Sequence, residues 1–266
     1  MDRRVPLAFG LIVAIAALIR VRRREARVER FAAAALQTLL NAIEANDPET
    51  GMHLRRTAAR ALIIADAAGL DERTKHSVER VALFHDIGKI HEALFDIVHE
   101  RTRLTPDERL EVVTHPARGA NVLAPLKAFY PDLPASVLAH HERWDGTGYP
   151  RGLRGRQIPI QSRITAVADT YDAVACSRPY RHGAGPAAAL RVIAAGRGTQ
   201  FDPALVDVVL RPSVARKLAH VHLSKHMLHG RRRSHEHESV PEISFRWRSE
   251  SLRSLGSRGI AAPRGD

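Results

Sequence analysis

The sequence predicts an all-α protein, and three observations lead to this prediction. Apolar residues recur at three- and four-residue spacing in one segment after another, as in Ile164, Val167 and Tyr171. Runs of alternating β-branched residues are absent, and residues 22–45 contain neither Gly nor Pro. We therefore expect a helical bundle with long functional loops.

The main domain is predicted to follow a break at Asp47-Pro48, because the residue before a proline is biased away from the helical conformation. The domain is assigned to residues 46–212. Its predicted helices are 52–68, 73–87, 106–126, 134–142, 161–176, 185–195 and 203–210, and its long loops are 88–105 and 143–160.

The chain begins with a hydrophobic segment that carries no charge over residues 5–19 and precedes an arginine cluster at residues 20–24. Fifteen residues of helix rise about 22 Å, less than the roughly 30 Å of the hydrocarbon core, and snorkelling of the flanking arginines could close part of the gap. We predict a membrane-anchor helix over residues 1–22 that contacts the membrane through residues 5–21. An interfacial or simply packed helix is the alternative.

Two segments flank the main domain. Residues 23–45 are predicted to form a linker helix that could also mediate homodimerisation, although its pattern is too short to establish a coiled coil. Residues 213–230 could extend a further helix. Residues 213–266 as a whole are assigned to a basic, mostly disordered tail rich in Arg, Ser and Gly.

The net charge of +12 belongs mainly to the two ends of the chain. Residues 1–30 carry +5 and residues 213–266 carry +6, which leaves +1 for residues 31–212. A basic nucleic-acid groove in the core is therefore not supported, and no specific nucleic acid is expected as a partner. The single cysteine, Cys176, excludes an internal disulfide framework and fits a reducing compartment.

One motif joins an apolar helix to a potential metal site. Residues 81–84 are apolar and lead directly into His85 and Asp86, after which come Gly88 and Lys89. Imidazole and carboxylate together suit borderline divalent metals, and a carboxylate can bridge two of them. Lysine can supply a positive charge to a phosphate oxygen or a proton to a leaving group. Alone, such a pair is more often a surface feature at a helix end.

Further candidate ligands change this interpretation. Asp169 lies in a predicted helix that is apolar on nearly every side, where a carboxylate is costly unless it is paired or bound to a metal. Five histidines and two aspartates could complete two six-coordinate sites with water. The additional histidines are His53, His115, His140 and His141.

A loop rich in Gly and Pro follows the histidine pair and carries Tyr149 within Gly148-Tyr149-Pro150. Arg178 and Arg181 follow Asp169 by nine and twelve residues. Arginine suits bidentate contacts with phosphate or with the edge of guanine, and tyrosine suits stacking on a base. These residues therefore point to a nucleotide substrate.

The complete series of motifs resembles the HD-GYP family of cyclic di-GMP phosphodiesterases, a subgroup of the HD metal-dependent phosphohydrolases, over about residues 40–212. The order and spacing of the motifs carry the resemblance. They are His53, His85-Asp86-x-x-Lys89, His115, His140-His141, Gly148-Tyr149-Pro150, Asp169, Arg178-Pro-Tyr-Arg181 and Gln200-Phe-Asp-Pro203.

The resemblance implies an HD-type helical bundle that holds two or three divalent metal ions, with Fe or Mn expected. Lys89 is expected near the phosphate, and Tyr149, Arg178 and Arg181 are expected to hold the dinucleotide. Family members with a glutamate four residues before the first histidine use it for a third metal, which implies that role for Glu49. The resemblance assigns one metal mainly to His53, His85, Asp86 and Asp169, and another mainly to His115, His140 and His141, with Asp86 bridging.

This sequence departs from the family pattern after Ile90. Residues 91–104 replace the usual Gly-Ile-Pro-Asp and Lys-Pro-Gly stretches and are apparently one residue longer. No ligand position is lost, but substrate access or rate could differ. Cys176 stands where a small hydroxyl residue is common, and we interpret it as a small packed residue.

The expected function is hydrolysis of cyclic di-GMP to pGpG, with GMP as a further product, by an enzyme in which Asp86 and Lys89 are catalytic. The expected location is the bacterial inner membrane, with the catalytic domain on the cytoplasmic side because the heavier arginine cluster follows the apolar segment. Two alternatives stay open: an HD phosphohydrolase of another nucleotide, and a non-catalytic cyclic di-GMP sensor or scaffold.

Overall fold

The computed structural model describes residues 4–90, 106–177 and 182–221. These residues are mostly helical and contain no β-strand, which confirms the predicted all-α class. A single isolated bridge, between Arg197 and Phe201, is the nearest approach to β-structure in the described residues. The chain divides into two compact units, with the described residues 4–38 in one and those from Leu39 onward in the other.

The first helix, α1, is continuous from Arg4 to Asn46. Phe31 is 75% exposed, whereas Leu40 is buried within the second unit. No helix is long and apolar enough to cross a membrane among the parts of the chain that the structure describes. The predicted anchor at residues 5–21 falls largely on side chains outside the described residues, so it stays a prediction.

The next two helices begin at aspartate caps. The carboxylate of Asp47 accepts a hydrogen bond from the backbone N–H of Glu49 at 3.0 Å, and Pro48 occupies the first turn of α2, which runs Pro48–Ala67. Asp71 caps α3, Glu72–Phe84, in the same manner. The aspartate side chain satisfies a backbone N–H that is otherwise unpaired at the start of a helix. Proline is tolerated at the first helical position because the N–H that it lacks has no partner within the helix there.

Six further helices complete the described fold. Proline opens most of them, which sets their start points. They are α4 Pro106–Leu123, α5 Leu133–Leu138, α6 Ile160–Ala175, α7 Pro186–Ala195, α8 Pro203–Val209 and α9 Pro212–Ala219, with short 3-10 turns at Ile87–Ile90, Ala124–Ala128 and Gly155–Gln157.

Two predicted helices end before the candidate ligands that they were expected to contain, and a third, predicted as 106–126, ends at Leu123. The segment predicted as 73–87 stops at Phe84, and the segment predicted as 134–142 stops at Leu138. After Phe84 and after Leu138 the backbone tightens into turns whose hydrogen bonds span three residues, such as the one from the N–H of Ala139 to the carbonyl of Ser136. The candidate ligands that follow therefore lie in turns rather than within helices.

The core forms where α2, α3 and α6 pack against one another. Its fully buried side chains include Leu54, Ile64, Val81 and Ile164. Burying a large aliphatic side chain contributes about 1.5–3 kcal/mol, so this three-helix core is a main source of stability. The core also fixes the helix that carries Asp169 against the helix that carries His53.

The chain continues as a packed helix beyond residue 212, the predicted end of the domain. Val214 and Leu218 of α9 are buried. The first nine residues of the predicted 213–266 tail are therefore ordered in helix and turn. Residues 222–266 lie outside the described residues, so the disorder predicted for them stays a prediction.

Gly88 brings the turn after α3 into backbone contact with α4. A Cβ atom at this position would lie 2.7 Å from the backbone nitrogen of Gly119 and would overlap the carbonyl oxygen of His115. Only glycine permits this approach, because the obstructing atoms belong to backbone. The contact holds the turn that carries Asp86 beside the helix that carries His115.

We expect Gly88→Ala to lower the free energy of unfolding by about 1–3 kcal/mol or more, because the added methyl group overlaps backbone atoms. Urea unfolding followed by circular dichroism measures this change. Gly119→Ala is the matched control from the other side of the contact, where a Cβ would lie 3.2 Å from side-chain atoms of Ile87 and Val137 and 3.3 Å from the backbone nitrogen of Gly88, without overlap. Equal stability of the two variants would contradict the backbone contact.

Candidate metal centre

Three helices and two turns direct histidines and aspartates towards one region. His53 lies on α2, His115 on α4 and Asp169 on α6, while the other members lie in the turns after α3 and α5. The side chains form two groups, in each of which one ligand atom per residue lies within 4.8 Å of the others. The first group is His53, His85 and Asp169, and the second group is Asp86, His115, His140 and His141.

Asp86 faces both groups. One of its carboxylate oxygens, Oδ2, lies 3.4 Å from Nε2 of His85 in the first group. The other, Oδ1, lies 3.3 Å from Nε2 of His115 and 3.8 Å from Nε2 of His140 in the second group. A single buried carboxylate therefore lies between two sets of imidazoles.

Three histidines are fixed in the same tautomer by backbone carbonyls. Nδ1 of His85, His115 and His140 donates a hydrogen bond to the carbonyl three residues earlier, at 2.8, 2.5 and 2.6 Å respectively. The proton on Nδ1 leaves the lone pair on Nε2, which is the atom that faces Asp86. This is the tautomer that a metal ligand needs.

Each of those three carbonyls lacks the backbone N–H donor that it would have within a regular helix. Pro116 lies inside α4 and has no N–H, so the carbonyl of Val112 lacks its usual helical donor and accepts from His115 instead. The carbonyls that accept from His85 and His140 are those of Ala82 and Val137, in the last turns of α3 and α5, where the usual helical donor four residues later is missing. The carbonyl of Val137 also accepts from the backbone N–H of His140, at 3.5 Å.

Two polar atoms at the centre lack a partner. Nε2 of His85 and Oδ1 of Asp86 are buried without a hydrogen bond. Leaving buried polar atoms unsatisfied is costly, and both atoms are of the type that binds divalent metals. The donor set of imidazole nitrogens and carboxylates, with these two atoms unpaired, therefore fits a dinuclear metal centre.

The charges of the site follow from burial and from mutual contacts. Burial opposes ionisation of Asp86, but the positive charge of Lys89 holds the pKa of its carboxyl well below its usual range. Burial, with the nearby His115, lowers the pKa of His141 to about 4. Burial, with His141 and His85, likewise lowers the pKa of His140. These two imidazoles are therefore neutral at pH 7, as metal binding requires.

His53 behaves differently. Burial acts to lower its pKa, but hydrogen bonds to Asp169 and Asp172 outweigh that effect and raise the pKa to about 9. Nε2 of His53 lies 3.3 Å from Oδ1 of Asp169, and Nδ1 lies 2.7 Å from Oδ2 of Asp172. His53 is therefore protonated on both ring nitrogens, and positively charged, at neutral pH in the metal-free protein.

Lys89 and Tyr149 also lie beside the two groups. Nζ of Lys89 donates to Oδ2 of Asp86 at 2.7 Å. The ring of Tyr149 stacks on His141, with 5.0 Å between the ring centroids and 25° between the planes. Both predicted substrate contacts are thus adjacent to the centre.

The described structure leaves the predicted roles of three other site residues untested. Glu49 lies in the first turn of α2 and belongs to neither group of potential ligands, so the third metal stays a prediction. Arg178 and Arg181 lie outside the described residues, as does the unusual 91–104 loop.

Sequence reasoning missed two buried carboxylates. Asp172, rather than Asp169, is the fully buried carboxylate of α6, with 1% of its side chain exposed. Its position three residues after Asp169, on the same helix face, was the available signal. Glu142 is also buried, and its two oxygens accept from the N–H groups of Arg151 at 2.6 Å and Leu153 at 2.9 Å.

These contacts hold the loop that carries Tyr149. The loop is also joined to the Gln200-Phe-Asp-Pro203 motif, because the N–H of Trp144 donates to the carbonyl of Gln200 at 3.2 Å. Phe201 of that motif is buried. The motif therefore has a structural role in supporting the loop beside the candidate centre.

Comparison with known proteins agrees with this geometry. The model of the HD domain family matches residues 37–205. The chain is 40% identical over 178 residues to the cyclic di-GMP phosphodiesterase response regulator RpfG of Xanthomonas campestris pv. campestris, covering 66% of this chain and 47% of that protein. It is 35% identical over 174 residues to the 3'3'-cGAMP-specific phosphodiesterase 2 of Vibrio cholerae, covering 65% and 33%.

A solved structure shares the fold. The HD-GYP-type protein Bd1817 from Bdellovibrio bacteriovorus superposes with a TM-score of 0.51 at 18% identity, covering 68% of this chain and 60% of that chain. The chain spans about half the length or less of the curated relatives it matches.

The helical fold and the two histidine–aspartate groups define an all-α domain of the HD type. The chain belongs to the HD domain family, and within that family to the HD-GYP group.

We expect His53 to titrate near pH 9 in the metal-free protein. Its pKa lies above the ordinary value of 6.5, so its protonated form contributes stability that is complete below about pH 6.5 and is lost as pH rises through about 9. Two-dimensional NMR of the imidazole nitrogens measures this pKa, with His141 as the internal control at about 4. Titration of His53 at or below pH 6.5 would contradict the two carboxylate contacts.

Proposed function

We propose that this chain is a metal-dependent phosphodiesterase that hydrolyses cyclic di-GMP to pGpG, with GMP as the product of a second hydrolysis. The position of Asp86 between the two groups is the observation that carries the proposal. Such an arrangement suits two metal ions that share one carboxylate, as phosphoryl-transfer sites often do. Several relatives in the same family are named cyclic di-GMP phosphodiesterases.

The proposed metals are Fe or Mn, because mixed imidazole and carboxylate donors suit them. When bound, they would supply a nucleophilic hydroxide from water at neutral pH and neutralise charge on the phosphate. The proposed ligands are His53, His85, Asp86 and Asp169 for one ion, and His115, His140, His141 and Asp86 for the other. Glu49 is proposed to contribute to a third ion.

The chain's own residues would orient the substrate. Lys89 lies on Asp86, at the junction of the two groups, where its ammonium can contact a phosphate oxygen or protonate the departing ribose oxygen. Tyr149 lies against His141, where its aromatic ring can contact a guanine base. Arg178 and Arg181 are proposed to bind the dinucleotide through phosphate or guanine edges.

Hydrolysis of 3'3'-cGAMP is a second candidate function, because relatives named 3'3'-cGAMP-specific phosphodiesterases are 30–35% identical to this chain. The two cyclic dinucleotides share the phosphodiester ring and differ in one base. The metal centre would act on both, and contacts to the bases would decide between them.

We also propose that the domain is tethered to the inner membrane and faces the cytoplasm, and that α1 supports homodimerisation. The apolar run over residues 5–19, followed by arginines, supports the tether. Exposed apolar side chains along α1, including Leu18, Val21 and Phe31, support a contact of this helix with a membrane or a second copy.

Asp86→Ala is expected to lower turnover of cyclic di-GMP on the order of 10³-fold or more, because both groups lose their shared carboxylate. The assay uses the purified full chain, loaded with Mn²⁺ or with Fe²⁺ under anaerobic conditions, and separates pGpG and GMP by chromatography. Asp207→Ala is the matched control, since Asp207 pairs with Arg197 at an exposed site. Full activity of Asp86→Ala would exclude the proposed mechanism.

The same assay with 3'3'-cGAMP decides between the two candidate substrates. Faster turnover of cyclic di-GMP supports the main proposal, and faster turnover of 3'3'-cGAMP supports the second candidate. Binding of cyclic di-GMP to the metal-loaded protein without any product would instead establish a sensor and overturn the enzymatic proposal.

Tyr149→Ala is expected to raise the KM for cyclic di-GMP about tenfold, because aromatic stacking on a base contributes about 1–3 kcal/mol. Tyr149→Phe keeps the ring and should keep the KM within about twofold of the wild-type value. Steady-state kinetics of the two variants measure the difference. Equal KM values for Tyr149→Ala and wild type would remove Tyr149 from the substrate site.

A further inference from the structure

His53 is the exception among the histidines whose tautomer the structure fixes. The Nδ1 atoms of His85, His115 and His140 donate to backbone carbonyls. His53 lies inside α2, Pro48–Ala67, where the preceding carbonyls are used by the helix itself. Within α2, Oγ1 of Thr57 approaches Nδ1 only to 3.5 Å, so a closer acceptor has to come from another element.

Asp172 supplies that acceptor from α6. Its Oδ2 lies 2.7 Å from Nδ1 of His53, while Nε2 of His53 lies 3.3 Å from Oδ1 of Asp169 on the same helix. Asp169 and Asp172 are three residues apart and share a helix face. The imidazole of His53 is thus held between two carboxylates of α6, one on each ring nitrogen.

The Asp172 carboxylate is itself held by two arginines of α2. Arg56 donates through Nε to Oδ1 at 2.7 Å and through Nη2 to Oδ2 at 2.9 Å. Arg60 donates through Nη1 to Oδ1, and the thiol of Cys176 lies 3.5 Å from the same oxygen. His53, Arg56 and Arg60 are spaced by three and four residues, so they lie on one face of α2.

This network is buried and continues away from the metal centre. The side chains of Arg60 and Asp172 are 3% and 1% exposed. Nη2 of Arg60 also lies 3.5 Å from the carbonyl of Val221, just after α9. A carboxylate with paired arginines and this degree of burial has little freedom to rotate, so its hydrogen bond to His53 has a fixed direction.

We infer that Asp172 is a positioning residue for His53. It holds His53 as the tautomer that carries its proton on Nδ1 when a metal occupies the first group, and Arg56 and Arg60 hold Asp172 in place. This inference rests on the metal centre of the proposed function. It assigns to Asp172 a role in metal affinity at the first group, with no direct contact to metal or substrate.

Asp172→Asn tests the inference. The amide keeps the size of the side chain but loses the charge and presents an N–H₂ group towards donors. We expect the Kd for Mn²⁺ at the first group to rise about 10–100-fold, as is typical when the partner of a metal-bound histidine is lost. The second group should keep its wild-type Kd.

The measurement is Mn²⁺ titration of the metal-free full chain, followed by calorimetry and by electron paramagnetic resonance. Wild type at two equivalents should give the spectrum of a coupled pair. Asp172→Asn, at a Mn²⁺ concentration between the two Kd values, should give the six-line spectrum of an isolated ion. Asp207→Asn is the matched control, because Asp207 also accepts two hydrogen bonds from one arginine, Arg197, but at an exposed site.

Two wild-type Kd values in folded Asp172→Asn would overturn the inference while leaving the metal centre intact. A wild-type chain that takes up no pair of ions would instead contradict the proposed function. Should Asp172→Asn fail to fold, Arg56→Gln keeps Asp172 and Arg60. That variant should show a smaller rise in Kd at the same group, and unchanged affinity at both groups would again overturn the inference.

Discussion

The structure depends on keeping seven histidine and aspartate side chains close together, most of them away from water. Each buried imidazole needs an acceptor for Nδ1, and the central carboxylate needs positive charge. His85, His115 and His140 use carbonyls freed by helix ends or by Pro116, and His53 uses Asp172. The result is a set of Nε2 atoms and carboxylate oxygens that face one another with few other partners.

Several features of the fold serve this requirement. Early ends of α3 and α5 place His85, Asp86, His140 and His141 in tight turns, where the side chains can point inward. Gly88 allows the turn after α3 to touch the backbone of α4. The three-helix core of α2, α3 and α6 then fixes His53 relative to Asp169. Stability of the bundle and geometry of the candidate metal centre are therefore closely linked.

The loop after α5 connects the centre to the proposed substrate site. Glu142 binds two backbone N–H groups of the loop, and Trp144 is joined to Gln200. With both ends of the loop supported, Tyr149 lies on His141 beside the ligands. The motifs shared with the HD-GYP group thus combine residues of the centre with residues that hold a loop in place.

The sequence alone determined the helical class, the break at Asp47-Pro48 and the residues that form the two groups. Apolar periodicity and helix-breaking residues are local properties, and the motif series was specific enough to select the histidines and aspartates. Only the tertiary structure decided where α3 and α5 end and which carboxylate of α6 is buried. It also decided that Asp172, Arg56 and Arg60 form one network with His53. The ends of α3 and α5 depend on turns that the helical pattern does not mark. The burial of Asp172 and its network with His53 depend on contacts between residues more than 100 positions apart, which no local pattern encodes.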